Sequence, residues 1–442
     1  MSAIVFAING CPAAWLGAYG NDWVGTPHLD RLAAEGVTFD RHIADRPQRP
    51  TPLAPLPSGR GEQEPSQTSS AHGARHPFSP SLQGGGRGVG CLSLCVRANH
   101  TDTDAPDWYY AAFGEVFDAR PNPGDHSPLD SLLRELPALL DRLAGEPNFL
   151  LWIETDRLLP PWDVQQDVFE AYLEDAADED KYAEEPHAEA EDISEIEECD
   201  DEEEEGAEEG DEDEEPEPAE PEPEPVEIVA PLDDPPTGPF DRADLDAWDW
   251  LHCTFASVVT KLDAELGAMF DLLRARGFDK SATWVVTSNY GQALGEHGIV
   301  GPHRPWLHSE LVHVPLIVRL PNAEQAGRRV TGFTQPPDLA PTLRALLGLP
   351  HEGDGHNLLP VMRGETESAR ECAVSHCELN GVGERAIRTN EWALLVPEGD
   401  DTRKPQLFAK PDDRHEVNDL YARNVERADE LEAQLRARLG RG

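Results

Sequence analysis

Three runs of nearly uninterrupted apolar residues, Ile4 to Ile8, Phe149 to Ile153 and Ala282 to Val286, predict strands buried on both faces. A strand covered on one side only would alternate apolar with polar. Val314 to Leu320 predicts a further strand. Between these runs the period changes to that of a helix: Pro27 to Ala34, Leu129 to Leu143, Leu245 to Arg276 and Asp338 to Leu347 carry apolar residues at intervals of three and four. Thr26 before Pro27 predicts an N-cap, and Gly36, Gly277 and Gly348 predict helix ends. Alternating apolar strands and amphipathic helices predict an α/β fold, an α/β/α sandwich around a mostly parallel sheet. The end of the chain differs. Arg385 to Val396 and Gln406 to Ala409 predict short antiparallel strands, and Asn424 to Leu439 a helix of alternating charge, which together make a small C-terminal α+β subdomain.

Two stretches carry neither period and predict disordered insertions. Residues 46–95 are rich in Pro, Gly, Ser and Arg, and residues 174–240 hold 33 of the 86 acidic residues with a single lysine. The folded part is then 1–45, 96–173 and 241–350, followed by the subdomain at 351–442. The net charge of −50 disfavours binding to nucleic acid or to an anionic membrane surface, and about −32 of it sits in the acidic tract. That tract reads as a solvated linker, with a basic partner or bound cations as the alternative. Seven scattered cysteines suit reduced thiols, no apolar run has the length of a membrane span, and the opening run is too short for a secretion signal. A cytoplasmic location is the expectation.

Four segments carry a family resemblance: Leu16-Gly17-Ala18-Tyr19-Gly20-Asn21 with Thr26 to Ala33 and Gly36-Val37-Thr38-Phe39; Thr287 to Gly291 with Leu294 to Gly298; His313 to Pro321; and Asp338 to Leu343. In order and spacing the chain resembles the sulfatase family of the alkaline phosphatase superfamily. The tail, Ala386 to Trp392 and Gln406 to Phe408, is similar to that family's small C-terminal sheet. The resemblance implies hydrolysis of sulfate esters, of a small molecule or a glycan. It also implies a divalent cation, usually calcium, held by carboxylates, and a formylglycine made from the Cys or Ser of a Cys-x-Pro-Ser-Arg type motif. Hard oxygen ligands suit such a cation, which neutralises charge developing on the sulfate, while Lys, Arg and His clamp the anion.

The chain departs from this pattern where the chemistry lies. The metal positions after the first strand read Asn9-Gly10, and those after Thr287-Ser288 read Asn289-Tyr290, so both have lost their formal charge. No Cys-x-Pro-x-Arg or Ser-x-Pro-x-Arg occurs; Ala44-Asp45-Arg46-Pro47 stands where the nucleophile is expected, with Thr51 the nearest hydroxyl beyond it. What survives is a set of basic residues, His297, His303, Arg304, His308 and His313, of which His303 or Arg304 occupies the loop that contacts sulfate in the family, and His297 is a further catalytic candidate. Cys372, His376 and Cys377 are too few for a zinc site. The expectation is a degenerate copy with no bound cofactor of its own, with calcium implied only by resemblance. An active hydrolase of sulfate or phosphate esters with a divergent site, and an interaction protein using its acidic tract, are the alternatives.

Overall fold

The computed structural model describes residues 1–47, 91–99, 110, 113–120, 127–183, 229–301, 306–350, 355–379 and 381–439, with side chains of 177–183 left aside. Eight strands form the central sheet: β1 (Ser2–Ile8), β2 (Val37–His42), β3 (Leu92–Ala98), β4 (Glu115–Asp118), β5 (Phe149–Thr155), β6 (Ala282–Thr287), β7 (Leu316–Arg319) and β8 (Arg328–Thr334). Their spatial order is β8-β2-β7-β6-β1-β5-β3-β4. β1 lies parallel to both β5 and β6, whereas β7 runs antiparallel to β6 and β2. The mostly parallel sheet is therefore as expected, with one reversed strand inside it.

Every residue of β1 is buried, because its two faces meet two separate layers. Ile4, Phe6 and Ile8 pack with α2 (Pro128–Leu143), α3 (Gln166–Ala183) and α4 (Leu245–Ala275), whereas Ala3, Val5 and Ala7 pack with α5 (Leu339–Leu346) and the turn at Leu358 to Met362. The period of two along the strand thus divides one apolar run between both sides of the sandwich.

The helix ends follow partly from local sequence. Ser127 caps α2, accepting from the Leu129 and Asp130 amides while Asp130 accepts from the Ser127 amide. Gly277 and Gly348 end α4 and α5 with φ of 74° and 72°. At α1 (Pro27–Ala34) the cap is tertiary. Thr26 does not cap it through its side chain, because its hydroxyl is occupied by the Gly17 amide; the carboxylate of Asp263, on α4, accepts from the His28 and Leu29 amides instead. Gly36 is required for close approach rather than for a left-handed turn: a Cβ there would lie 2.8 Å from the Val318 carbonyl oxygen on β7.

Two insertion boundaries move. Leu92 to Cys95 belong to β3, paired with β5 and β4, because Leu94, Val96 and Ala98 are buried against α2 and its neighbours. At the other insertion, α3 continues through residues 174–183, whose Glu and Ala favour helix, and the segment from 229 is anchored by Trp162 donating to the Asp233 carbonyl and Trp250 to the Ala230 carbonyl. Residues 48–90 and 184–228 lie outside the described residues.

A second, four-stranded antiparallel sheet follows, β9 (Ala373–Leu379), β10 (Val382–Arg388), β11 (Trp392–Glu398) and β12 (Gln406–Ala409), in that order. Ala386, Leu395 and Phe408 face Ile43, Leu311 and Val312 of the main domain, and Ile387, Leu394 and Leu407 face α6 (Val425–Leu439) through Leu431 and Leu435. β9, unmarked by any clear apolar pattern, is a strand that sequence reasoning missed, as it missed β3, β4 and β8 of the central sheet. No helix among the described residues is long and apolar enough to cross a membrane.

Candidate functional site

The parallel strands β1, β5, β3 and β6 end together at one edge of the sheet, where open α/β folds place their ligands. Asn9 follows β1 and Asn289 follows β6. Both are buried, and the Asn289 amide nitrogen donates to Asn9 Oδ1 at 3.1 Å. Asn9 Nδ2 in turn donates to Glu154 Oε1 at 3.2 Å, on the neighbouring strand β5. Tyr110 completes the chain, its hydroxyl 3.3 Å from Glu154 Oε2. With Glu154 ionised this direction is the only one that works, since a reversed Asn9 amide would turn its oxygen on the carboxylate.

The turn after β1 is fixed by glycine. Gly10 has φ of 76°, and a Cβ there would lie 2.5 Å from Leu159 Cδ2. Its amide donates to the Tyr290 carbonyl at 3.0 Å, and its carbonyl accepts from Gln292 Nε2 at 3.0 Å, so the ends of β1 and β6 are tied by backbone as well as by side chains. Tyr290 itself is buried; burial, followed by the charges of Glu154 and Asp156, pushes its phenol well above the usual range.

The sequence pointed to Asn9, Asn289 and Tyr290, and the structure brings these together. It did not point to Glu154, although an acid closing the apolar run of β5 was a visible signal. Burial pushes the Glu154 carboxyl up, against the bonds from Asn9 and Tyr110 and the charge of Arg97, with Asp156 adding to the rise. Arg97 lies over the Tyr110 ring at 4.7 Å and pairs with Asp118 at 2.7 Å. The residues present do not fit a calcium ion of the kind the resemblance implies. A hard dication needs several free oxygens, typically including carboxylates, whereas Asn9 Oδ1 and both Glu154 oxygens here already accept from N–H or O–H donors.

His297 belongs to a different cluster, between the main domain and the C-terminal sheet. Its ring stacks on His308 with centroids 3.8 Å apart. Nδ1 is 2.8 Å from Glu310 Oε1, and Nε2 is 3.2 Å from the Glu416 carbonyl oxygen. Burial opposes charge on this imidazole, but the bond and charge of Glu310, helped by Glu416, push it up to about 9. Glu416, fully buried, accepts from Arg388 at 2.9 Å and from the Ser309 amide at 3.1 Å, and lies 3.2 Å from both His308 Nδ1 and Lys410 Nζ. Burial raises the Glu416 carboxyl, but Arg388, His308 and Lys410 more than reverse it and hold the group well below the usual carboxylate range. These contacts tie the His297 imidazole into the interface with the C-terminal sheet. His313 is partly buried with Nε2 against the Asp40 carbonyl oxygen, its imidazole pushed down to about 4 by desolvation. His303, Arg304 and Thr51 lie outside the described residues. Cys372 and Cys377 face opposite sides of the C-terminal sheet, so they do not converge with His376.

Comparison with known proteins agrees with this architecture. A family model described as Sulfatase matches residues 92–349, and one described as N-sulphoglucosamine sulphohydrolase, C-terminal, matches 295–441. The chain is 25% identical over 198 residues to Arylsulfatase K of Bos taurus, covering 42% of this chain and 36% of that protein. It is 27% identical over 179 residues to N-acetylglucosamine-6-O-sulfatase of Bacteroides thetaiotaomicron, covering 38% of this chain and 32% of that one. The matched stretches thus span about a third of each relative's length. Among solved structures, the phosphonate monoester hydrolase of Agrobacterium radiobacter is similar at a TM-score of 0.60 and 16% identity, over 99% of this chain and 95% of that one.

Proposed function

Because the chain belongs to the sulfatase family of the alkaline phosphatase superfamily, we propose that it is a sulfatase-like protein with little or no sulfuric ester hydrolysis of its own. One observation carries this reading: the hydrogen-bonded series Asn289, Asn9, Glu154 stands where the resemblance calls for carboxylates around a cation. Amide N–H groups fill the space between oxygens that a dication would have to bridge, so the anion-stabilising charge is absent from that point. The second half of the reading is the missing nucleophile motif, for which Ala44 and Asp45 stand as substitutes without a nucleophile of that type. Any ligand retained is a sulfate ester, small molecule or glycan, a choice supported by the similarity to glycan sulfatases.

An active hydrolase with a divergent site is the second reading, favoured by Glu154 and Asp156, two buried carboxylates at the same strand ends. Binding of a basic partner by the acidic tract rests on composition alone and is tested by salt-sensitive capture with that peptide. The first two readings are separated by an arylsulfatase assay on the purified full chain together with calorimetric titration of calcium. The proposal expects neither turnover above background nor micromolar calcium binding. Turnover that disappears in Glu154→Gln would overturn it in favour of the second.

A further inference from the structure

The apolar layer on the α5 side of the sheet is incompletely covered. Ala345, Leu349 and Ala369 pack against that layer yet stay partly exposed. All three line one cavity of about 540 Å³, bounded by α5, the turn at Leu358 to Met362 and the segment that leads into β9. Pro341, Pro360 and Val361 complete its apolar wall. A volume of this order holds a small molecule. Neither Asn9, Glu154, Asn289 nor Tyr290 lines it, so it is separate from the strand-end crevice. No carboxylate, lysine or arginine among the described residues lines it either, so it offers no counter-charge to an ammonium and no fixed cation to an anion.

Two neighbouring residues supply its polar end. The His356 amide donates to Asp338 Oδ1 at 2.8 Å, and Nδ1 of the His356 ring lies 3.4 Å from the same oxygen. Asp338 is fully buried and accepts from Arg370 Nε at 2.8 Å. That carboxylate favours the ring proton on Nδ1, which leaves Nε2 as an acceptor. Asn357 is turned the opposite way: its Oδ1 accepts from the Leu359 amide at 3.0 Å, which leaves Nδ2 as a donor. Neither Nε2 nor Nδ2 has a partner among the described residues. The Ser368 hydroxyl, also at the cavity, is taken by the Arg370 backbone, donating to its carbonyl at 2.6 Å and accepting from its amide at 3.2 Å. We propose that this cavity binds an aryl alcohol, its ring between α5 and the turn, its hydroxyl donating to His356 Nε2 and accepting from Asn357 Nδ2. A hydroxyl does both at once, whereas an ether or a carboxylate only accepts. Proline, alanine and valine are short side chains that leave a slot for a flat ring, and a rigid ring fills it at little cost in conformational freedom. The site stands beside the sulfatase-like reading and does not depend on it.

The test is calorimetric titration of the full chain with 2-naphthol, 2-methoxynaphthalene and 2-naphthoate at about pH 7, where a phenol is neutral. 2-Naphthol should bind at one site. The ether and the carboxylate, which cannot donate to Nε2, should bind about threefold to tenfold more weakly. His356→Phe should bring 2-naphthol down to the affinity of its ether. Ala345→Trp, which fills the cavity, and Thr366→Trp, at its exposed rim, should each weaken 2-naphthol by about tenfold or more. No binding of 2-naphthol, binding of the ether or the carboxylate as tight as that of the alcohol, or an affinity untouched by both tryptophan variants at an unchanged melting temperature would overturn the proposal.

Discussion

Restoring carboxylates to the strand ends should cost stability unless a cation comes with them. In Asn9→Asp the donor that stands 3.2 Å from Glu154 Oε1 becomes an acceptor of like charge. Coulomb's law at that separation, with an effective dielectric constant near 20, gives a repulsion of about 5 kcal/mol. The pair has a cheaper escape, because one carboxyl can hold its proton. Keeping an ordinary carboxyl protonated at pH 7 costs about 4 kcal/mol, and at pH 5 about 1 kcal/mol. The variant should therefore lose roughly 2–4 kcal/mol at pH 7 and much less at pH 5. Asn289→Asp adds a second loss by removing the donor to Asn9 Oδ1. Calcium should reverse both, since a dication satisfies three converging carboxylates, and a concentration 100 times the dissociation constant would return about 2.7 kcal/mol. Gly10→Asp is left out of the design because its Cβ would strike Leu159 at a backbone angle suited to glycine. The assay is urea unfolding of the wild-type and Asn9→Asp/Asn289→Asp chains at both pH values, with and without calcium, followed by circular dichroism. A double variant as stable as the wild type at pH 7 without calcium would refute the electrostatic argument. A double variant that calcium stabilises no more than the wild type would refute the placement of the site.

Removing Glu416 by Glu416→Ala leaves Arg388 buried and uncompensated, and should cost about 3–5 kcal/mol in urea unfolding; a loss below about 1 kcal/mol would mean the clamp is not holding the subdomain. The pH dependence of the same interface has two signs. The Glu416 carboxyl sits well below its ordinary value, so its contribution is present above the usual carboxylate range and is lost as pH falls through the depressed value. His297, raised from 6.5 to about 9, contributes stability that is fully present below 6.5 and lost as pH rises through about 9; melting curves of His297→Gln should lack that alkaline decline. Gly10→Ala should destabilise by about 1–3 kcal/mol through the left-handed backbone and the Leu159 contact, read as a shifted urea midpoint. Replacing residues 46–90 by a short Gly-Ser linker should leave the melting temperature within a few degrees, since closing a loop changes by only about 0.6 kcal/mol per doubling of length; an insoluble product would count against this.

Periodicity alone carried much of the architecture. The unbroken run at β1 required cover on two faces, and the helical spacing of Leu251 to Leu273 supplied one of the covers, so the sandwich followed from side-chain period without any knowledge of contacts. The residue types at positions 9, 10, 289 and 290 were equally legible, because residue type is a local property. Their partners were not. Asn9, Glu154 and Asn289 lie at the ends of three separate strands, brought side by side by the order of the sheet, and only that order turns two neutral amides and a distant acid into one hydrogen-bonded series. The same holds for His297, which in the sequence is a basic residue beside a glycine and in the fold is committed to Glu310 and Glu416, more than a hundred residues away in the second case. Sequence determines which groups a segment can offer and how it coils or extends. Whether a donor meets an acceptor, a cation meets an acid, or an amide is left unsatisfied depends on long-range packing, because hydrogen bonds and ion pairs act over a few ångströms and pair residues that the chain itself keeps far apart.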